Sequence, residues 1–212
     1  MKFDHHLHTS RHSPDSIMDP LKMIKQARAV GLDGVVITEH DYQWDADELA
    51  ELASRADGLK VFSGVEVSAR EGHFLVYGLP DLTDAGPGIA LSDLLRLVDR
   101  HQAAVVAAHP FRWSQPFDAI VAQHGPVFHG VEYVSNNVTP ETRSLADALL
   151  RTTPMPATGS SDAHDVETLG CYYSEFEAPI ESMADFVAAL RKGAVRPRHR
   201  QGKVRLSSGP VD

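Results

Sequence analysis

Strand-like apolar runs in this chain end repeatedly on residue types that ligate metals, and this constrains the fold more than any other feature of the sequence. Gly34-Val35-Val36-Ile37-Thr38 runs into Glu39-His40-Asp41, and Val105-Val106-Ala107-Ala108 runs into His109. The short run ending near Thr158 is followed by Asp162-Ala163-His164, Glu66 lies near the end of another run, and Asp15 sits in the loop after His6-Leu7-His8. His6 and His8 are one residue apart, so on an extended segment they point to the same side and can bind one ion together. Each cluster is placed at or near the C-terminal end of a strand, except His6 and His8, which fall within theirs. In α/β barrels that face carries the chemistry.

The spacing between the runs agrees with alternating strands and helices. Residues 2–7 form a first strand, and Asp19-Pro20 caps a helix through Val30 that Gly31 closes. Residues 34–38 have the β-branched character of a strand buried on both faces. Asp45 or Asp47 caps a helix reaching Ala56, residues 59–68 read as a third strand, residues 73–78 as a short one, and residues 81–88 as a loop. Further on, the pattern predicts helices over 91–101, 117–124, after Thr139-Pro140 and over 182–192, the last stopped by Gly193. Strands are predicted over 103–108, 127–134 and 155–158. Repeated strand-helix units imply a parallel sheet or a barrel.

Composition is permissive and narrows the partners. With 212 residues, 42% hydrophobic and 23% charged, the chain has the size of one globular domain, 1–212, with the metal-type motifs within 2–165 and a C-terminal helix and basic tail over 180–212. A formal charge of -9 argues against a surface built for duplex DNA, where cationic side chains must replace phosphate counterions. The lone Cys171 can form no internal disulfide, the opening residues lack an apolar signal core, and no segment has the roughly 20 apolar residues that cross a bilayer. A soluble cytoplasmic protein without membrane contact is expected, with its oligomeric state open.

A lone histidine on an apolar strand is more often a hydrogen-bonded core residue than a ligand, and Ser160-Ser161-Asp162 alone also reads as a turn or a helix cap. Joint occurrence at successive strand ends changes the balance. Buried histidines and carboxylates without partners are costly, and one multinuclear metal cluster would satisfy them together. Such a centre points to hydrolysis.

In order along the chain, Asp4-His5-His6-Leu7-His8, Thr38-Glu39-His40, Gly64-Val65-Glu66, Gly72-His73, Ala108-His109-Pro110 and Gly159-Ser160-Ser161-Asp162-Ala163-His164 resemble the PHP family, named for polymerase and histidinol phosphatase. The resemblance spans residues 2 to about 165. It implies an α/β fold of the distorted (β/α)7 barrel type with the metal site at the C-terminal ends of the strands. It further implies that His6, His8, Glu66 and Asp162 hold one ion, that Glu66 bridges to a second held by His73 and His109, and that Asp15, His40 and His164 hold a third. Two to three divalent ions, Zn, Mn or Fe, are implied as cofactors. Water shared by two such ions is acidified enough to attack phosphorus as hydroxide near neutral pH.

Two positions depart from the family pattern. Glu39 stands where Asp is common, which bears on the geometry behind the ligands, and Asp15 stands where some relatives have His, an oxygen ligand better suited to Mn. Arg112, three residues after His109, is placed to reach a phosphate bidentately, or simply to stand exposed. Arg11 and His12 precede Asp15 and are candidates to meet substrate, against the alternative of a solvated loop. His5 points away from His6 and is structural; His101, His124, His129 and His199 lack motif context. Glu132-Tyr133 and Asn136-Asn137 are placed at the pocket mouth, and the basic stretch from Arg191 to Arg205 reads as a solvated tail or a nucleotide contact. Glu66, Asp162 and Arg112 are the expected catalytic residues.

No nucleophile elbow, Walker loop or dinucleotide fingerprint is present. The expected function is hydrolysis of a small phosphomonoester or nucleotide. The alternatives are an exonuclease on short oligonucleotides and a non-catalytic metal-binding module.

Overall fold

Capping side chains fix where three of the α-helices begin in the computed structural model, which describes residues 1–200. After strand β1 (Lys2–Asp4), the Asp19 side chain accepts from the backbone N–H groups of Leu21 and Lys22, and Pro20 opens helix α1 (Pro20–Ala29) where its missing N–H costs nothing. Strand β2 (Gly34–Ile37) is buried throughout, and helix α2 (Ala46–Ser54) follows Asp45. Next come β3 (Lys60–Ser63), β4 (Val65–Ala69), β5 (Gly72–Tyr77), α3 (Leu91–Arg100) and β6 (Ala104–Ala107). A 3-10 turn (Arg112–Ser114) leads to α4 (Phe117–His124), β7 (Gly130–Val134), α5 (Pro140–Thr152) and β8 (Ala157–Gly159). The described chain ends with β9 (Tyr172–Phe176), α6 (Met183–Arg191) and β10 (Val195–His199). Capping boxes start α5 at Thr139 and α6 at Ser182.

The strands form two mixed five-stranded sheets, ordered β10-β9-β1-β2-β3 and β4-β5-β6-β7-β8. The closed (β/α)7 barrel expected from the resemblance is not formed by the ladders. The reason lies in two antiparallel intrusions: β4 and β5 form a hairpin, and β9 pairs antiparallel with both β1 and β10. Isolated parallel bridges, Leu7 with Ala163 and His40 with Glu66, stitch one sheet to the other. The single strand expected over 59–68 is broken at Gly64, where the chain changes sheets. A Cβ there would lie 2.7 Å from the Tyr77 ring and 2.9 Å from the Val76 carbonyl oxygen, so only glycine permits the crossing.

Alternation along the strands sorts side chains into layers. Val35 and Ile37 face α1 and α2, while Val36 turns inward to join Phe3, Leu75, Tyr77, Val106, Phe176 and Phe186 between the sheets. Val105 and Ala107 pack outward against α3 and α4. Helices α1 to α5 therefore cover the outer faces, while α6 sends Phe186 and Leu190 into the apolar layer between the sheets. Among the described residues, no helix is long and apolar enough to cross a membrane.

The stretch from Arg191, expected as a solvated tail, is in part an edge strand. In β10, Arg196 and Arg198 pair with Glu177 at 3.0 Å and Glu175 at 2.8 Å, and Pro197 is tolerated because the strand has no further neighbour in its sheet. Residues 201–212, including Arg205, lie outside the described part.

Candidate metal centre

The site forms where the two sheets are bridged. Leu7 contributes its carbonyl to the Thr38 N–H at 2.9 Å and packs its buried side chain among the residues facing α1. Its neighbours His6 and His8 consequently face the opposite way, and both are fully buried. They follow β1 rather than lie within it. The His8 N–H donates to the Ala163 carbonyl at 2.9 Å and the Asp162 N–H to the His6 carbonyl at 2.8 Å, which sets Asp162 beside the two histidines.

Glu66 is the hub. Its backbone is clamped between Glu39 and Asp41, with Glu66 N–H donating to the Glu39 carbonyl at 3.1 Å and Asp41 N–H donating to the Glu66 carbonyl at 2.9 Å. Its Oε2 lies 3.2 Å from Nε2 of His6, 3.2 Å from Nε2 of His8 and 3.1 Å from Nδ1 of His40. Its Oε1 lies 2.9 Å from Nδ1 of His73 and 3.1 Å from Nε2 of His109. Asp162 Oδ1 completes the inner group at 3.3 and 3.4 Å from the same nitrogens of His6 and His8.

This geometry fits a bound cation better than it fits direct hydrogen bonds. Nε2 of His6, Nε2 of His8 and Oε2 of Glu66 are buried, close together and without any hydrogen-bond partner among the described residues. Orphaned buried atoms of this kind are expensive. Ligand atoms placed tetrahedrally about 2.1 Å from one ion stand roughly 3.4 Å apart, close to the separations seen here. His6, His8, Glu66 and Asp162 form one compact group able to hold an ion, and Glu66, His73 and His109 form a second.

The third group differs in composition from the one the resemblance implies. His8, His40 and His164 are brought together, with the His8 ring stacked between the other two at centroid distances of 4.2 and 4.4 Å. Asp15 stands at its outer edge, with Oδ2 3.1 Å from Nε2 of His40 and 3.2 Å from Nε2 of His164. All nine residues therefore converge, and His8 faces two of the three groups.

Glu132 is the feature that sequence reasoning misplaced. It lies fully buried behind the cluster, not at the pocket mouth. Its Oε1 accepts from His6 Nδ1 at 2.9 Å and from the Ser160 hydroxyl at 2.6 Å, while Oε2 accepts from the His109 backbone N–H at 2.8 Å. With Nδ1 of His6 donating to Glu132, a neutral imidazole keeps its lone pair on Nε2, aimed at the cluster. The signal was present, because Gly130-Val131-Glu132 repeats the Gly64-Val65-Glu66 pattern. Tyr133 does turn outward and donates to Asp147 at 2.6 Å.

Glu39 also acts from behind. It is buried and accepts from Thr9 N–H at 2.9 Å, from the Thr9 and Ser13 hydroxyls, and from Trp44 Nε1 at 3.0 Å. The longer side chain thus ties the loop carrying Asp15 to the loop after His40. Asn137 Nδ2 donates to Oδ2 of Asp162, and Asn136 Nδ2 to the Ser161 carbonyl at 2.6 Å. Backbone strain concentrates in the same place, with His109 at φ 26° and Asp162 at φ 53°.

Electrostatics record the crowding. Burial alone would raise the Glu66 and Asp162 carboxyls, but the charge of His6 and the close approach of the neighbouring histidines hold both well below the usual carboxylate range. Burial would likewise lower His6 and His8, yet the surrounding carboxylates raise His6 well above its ordinary value and His8 to about 9. Protons therefore occupy the positions that a cation would take.

Arg112 reaches the edge of the site, with Nη1 3.8 Å from Asp162 Oδ2. Arg11 and His12 are held elsewhere: both contact Glu48 of α2, at 2.6 and 2.9 Å, and His12 stacks on Tyr42.

His5 faces away from His6, its Nδ1 2.7 Å from the Tyr77 hydroxyl and its Nε2 3.0 Å from the Ser174 hydroxyl. Burial pushes it down to about 4 from 6.5. Between those values the folded state binds fewer protons than the unfolded chain, so the stability His5 contributes above pH 6.5 is lost as pH falls, at about 1.4 kcal/mol per pH unit. Burial raises Asp4 to about 6, which has the opposite sign between pH 6 and 3.8, and that contribution cancels on comparison with a His5→Asn variant. Urea unfolding of chelator-treated protein should show wild type losing about 2 kcal/mol more than the variant between pH 7 and pH 5. Equal losses would mean that His5 titrates freely.

A PHP domain is matched over residues 4–139 and a PHP-associated region over residues 140–195. An uncharacterized protein of Methanocaldococcus jannaschii is 27% identical over 120 residues, covering 52% of this chain and 68% of that protein. The fold is shared with a two-domain protein from Bacteroides vulgatus containing a predicted PHP-like metal-dependent phosphoesterase (TM-score 0.73, 20% identity), covering 94% of this chain and 65% of that one. It is also shared with PsfC from Pseudomonas syringae (TM-score 0.70, 21% identity), covering 94% and 91%. With the matched domain spanning most of the chain and its histidines and carboxylates gathered into one buried cluster, the chain belongs to the PHP family.

Proposed function

We propose that this protein is a metal-dependent phosphoesterase, a hydrolase acting on a small phosphomonoester or nucleotide. The observation that carries the proposal is the set of orphaned buried atoms on His6, His8 and Glu66, converging where a cation fits. In this reading His6, His8, Glu66 and Asp162 would hold one ion, Glu66 with His73 and His109 would hold a second, and Asp15, His40 and His164 would hold a third. The donor set of imidazoles and carboxylates suits Zn, Mn or Fe. Bound divalent ions supply Lewis acidity toward phosphoryl oxygens and make a water acidic enough to attack near neutral pH.

The chain's own residues do the rest. Glu132 fixes the His6 ring and the His109 backbone, so the ligand atoms are in position before substrate arrives. Arg112 stands at the rim, where its guanidinium can take a terminal phosphate oxygen, and its distance of 3.8 Å from Asp162 leaves it free to exchange that neighbour for substrate. Asn137 holds Asp162 in its strained conformation. Arg11 and His12 would reach substrate only after release from Glu48.

The test is phosphate release from a panel of sugar, alcohol and nucleoside monophosphates with protein reloaded in Mn or Zn. Turnover on at least one monoester, abolished by chelator, is the expected result. No release across the panel from metal-loaded protein would defeat the proposal.

A further inference from the structure

We infer that Trp113 is a stacking platform that selects substrates carrying a planar aromatic group, a nucleobase, next to the phosphate. The inference rests on the phosphoesterase reading and names the substrate class of that site.

Trp113 is 70% exposed, although a large aromatic side chain is costly to leave in water. Its position is not incidental. The ring centroid is 5.5 Å from that of His73 and 5.8 Å from that of His109, so the indole borders the group formed with Glu66. The Arg112 guanidinium lies 4.0 Å from the indole centroid and, at its other side, 3.8 Å from Asp162. One short segment thus presents a cation toward the cluster, with one face of the indole against that cation and the ring otherwise exposed.

The backbone holds this display at a cost. Phe111, Trp113 and Ser114 all have positive φ, at 66°, 53° and 62°, a conformation that disfavours side-chain-bearing residues. Gln115 anchors the segment, its side-chain amide donating to the Glu71 carbonyl at 3.0 Å. A segment strained into shape to expose an indole has more than packing to do.

The ligand follows from the chemistry. A phosphate placed between Arg112 and the cluster puts the rest of a monoester within reach of the indole. An aromatic ring there stacks on Trp113, an interaction open to any base because every base has a π face. A sugar phosphate lacks the ring and is held through its phosphate alone.

The experiment compares adenosine 5′-monophosphate with ribose 5-phosphate on wild type, Trp113→Ala and Trp113→Phe, all metal-loaded. Trp113→Ala should lower kcat/KM for the nucleotide about tenfold, equivalent to about 1.4 kcal/mol, through KM. Ribose 5-phosphate should lose much less, since only the support of Arg112 changes for it, and Trp113→Phe should recover most of the loss. An equal loss on both substrates would overturn the inference, since Trp113 would then act only by positioning Arg112.

A second readout does not depend on turnover. The chain has two tryptophans, and Trp44 is buried against Glu39, so nucleotide-dependent quenching of fluorescence reports on Trp113. Adenosine 5′-monophosphate should quench wild type, and ribose 5-phosphate should not. If no monoester is hydrolysed but the nucleotide still quenches, the phosphoesterase reading fails while the platform stands; absence of quenching in wild type overturns the platform itself.

Discussion

Glu66→Gln is expected to lower kcat by about a thousandfold or more while leaving the circular dichroism spectrum unchanged. The magnitude follows from the several kcal/mol of charge stabilisation that a metal site contributes to hydrolysis. Among the described residues Glu66 has the tightest set of histidine contacts in the site: five histidine nitrogens lie within 3.2 Å of its two oxygens. Glutamine keeps the volume and the backbone pairing of β4, but it removes the charge and presents an N–H where a ligand lone pair stood. The loss should come with release of metal and not with unfolding. Steady-state kinetics on the best monoester, with metal content measured on the same samples, checks this. A variant that retains both turnover and metal would show that Glu66 is not the shared ligand.

The second large effect is on stability. Stripping the protein with a strong chelator is expected to lower Tm by about 10 °C, and restoring Mn or Zn should recover it. A ligand present at about a thousand times its Kd stabilises the folded state by about 4 kcal/mol, and each kcal/mol moves Tm by about 2–4 °C at this chain length. Without metal, buried nitrogens of His6 and His8 face carboxylates with poor hydrogen-bond geometry, and only protons on those histidines offset the charge. Since His8 titrates near 9 in that state, a cation must displace protons there. Folded, metal-free protein holds those protons, so metal affinity should weaken as pH falls. Differential scanning fluorimetry at pH 6 and pH 8 with fixed metal gives both results, the gain in Tm being larger at pH 8. A Tm indifferent to chelator and metal would leave the cluster as a network of protonated histidines.

Much of the site was legible because its residues are local to strand ends. The Gly34 to Thr38 run, its β-branched residues and the His40 that follows appear in the structure as a buried strand leading into the cluster. The His6-x-His8 alternation survived even though β1 stops at Asp4, since an extended segment keeps its period of two without a ladder. What could not be read depends on contacts between distant segments. Whether residues 59–68 are one strand or two is decided by the Tyr77 ring against Gly64, and the depth of Glu132 by its partners His6, His109 and Ser160. Strands β9 and β10 were passed over for different reasons. In Tyr172 to Phe176 the inward face carries the buried Ser174 beside Phe176, so the apolar alternation that marks a strand is hidden. Val195 to His199 is dominated by charge and proline, which a protected interior strand would not tolerate but an edge strand does. The loop at Arg112 and Trp113 carries no periodic signal, and its importance comes from where its strained backbone places it.

Metal stoichiometry measured alongside activity is the most direct test of the central claim that this cluster is a multinuclear hydrolytic centre. Stripped protein titrated with Mn or Zn, with bound metal quantified by elemental analysis and monoester hydrolysis followed on the same samples, should bind two to three ions per chain and gain turnover as they bind. Protein that binds no metal with His6, His8, Glu66 and Asp162 intact, or that hydrolyses its best substrate equally well when stripped, would contradict it.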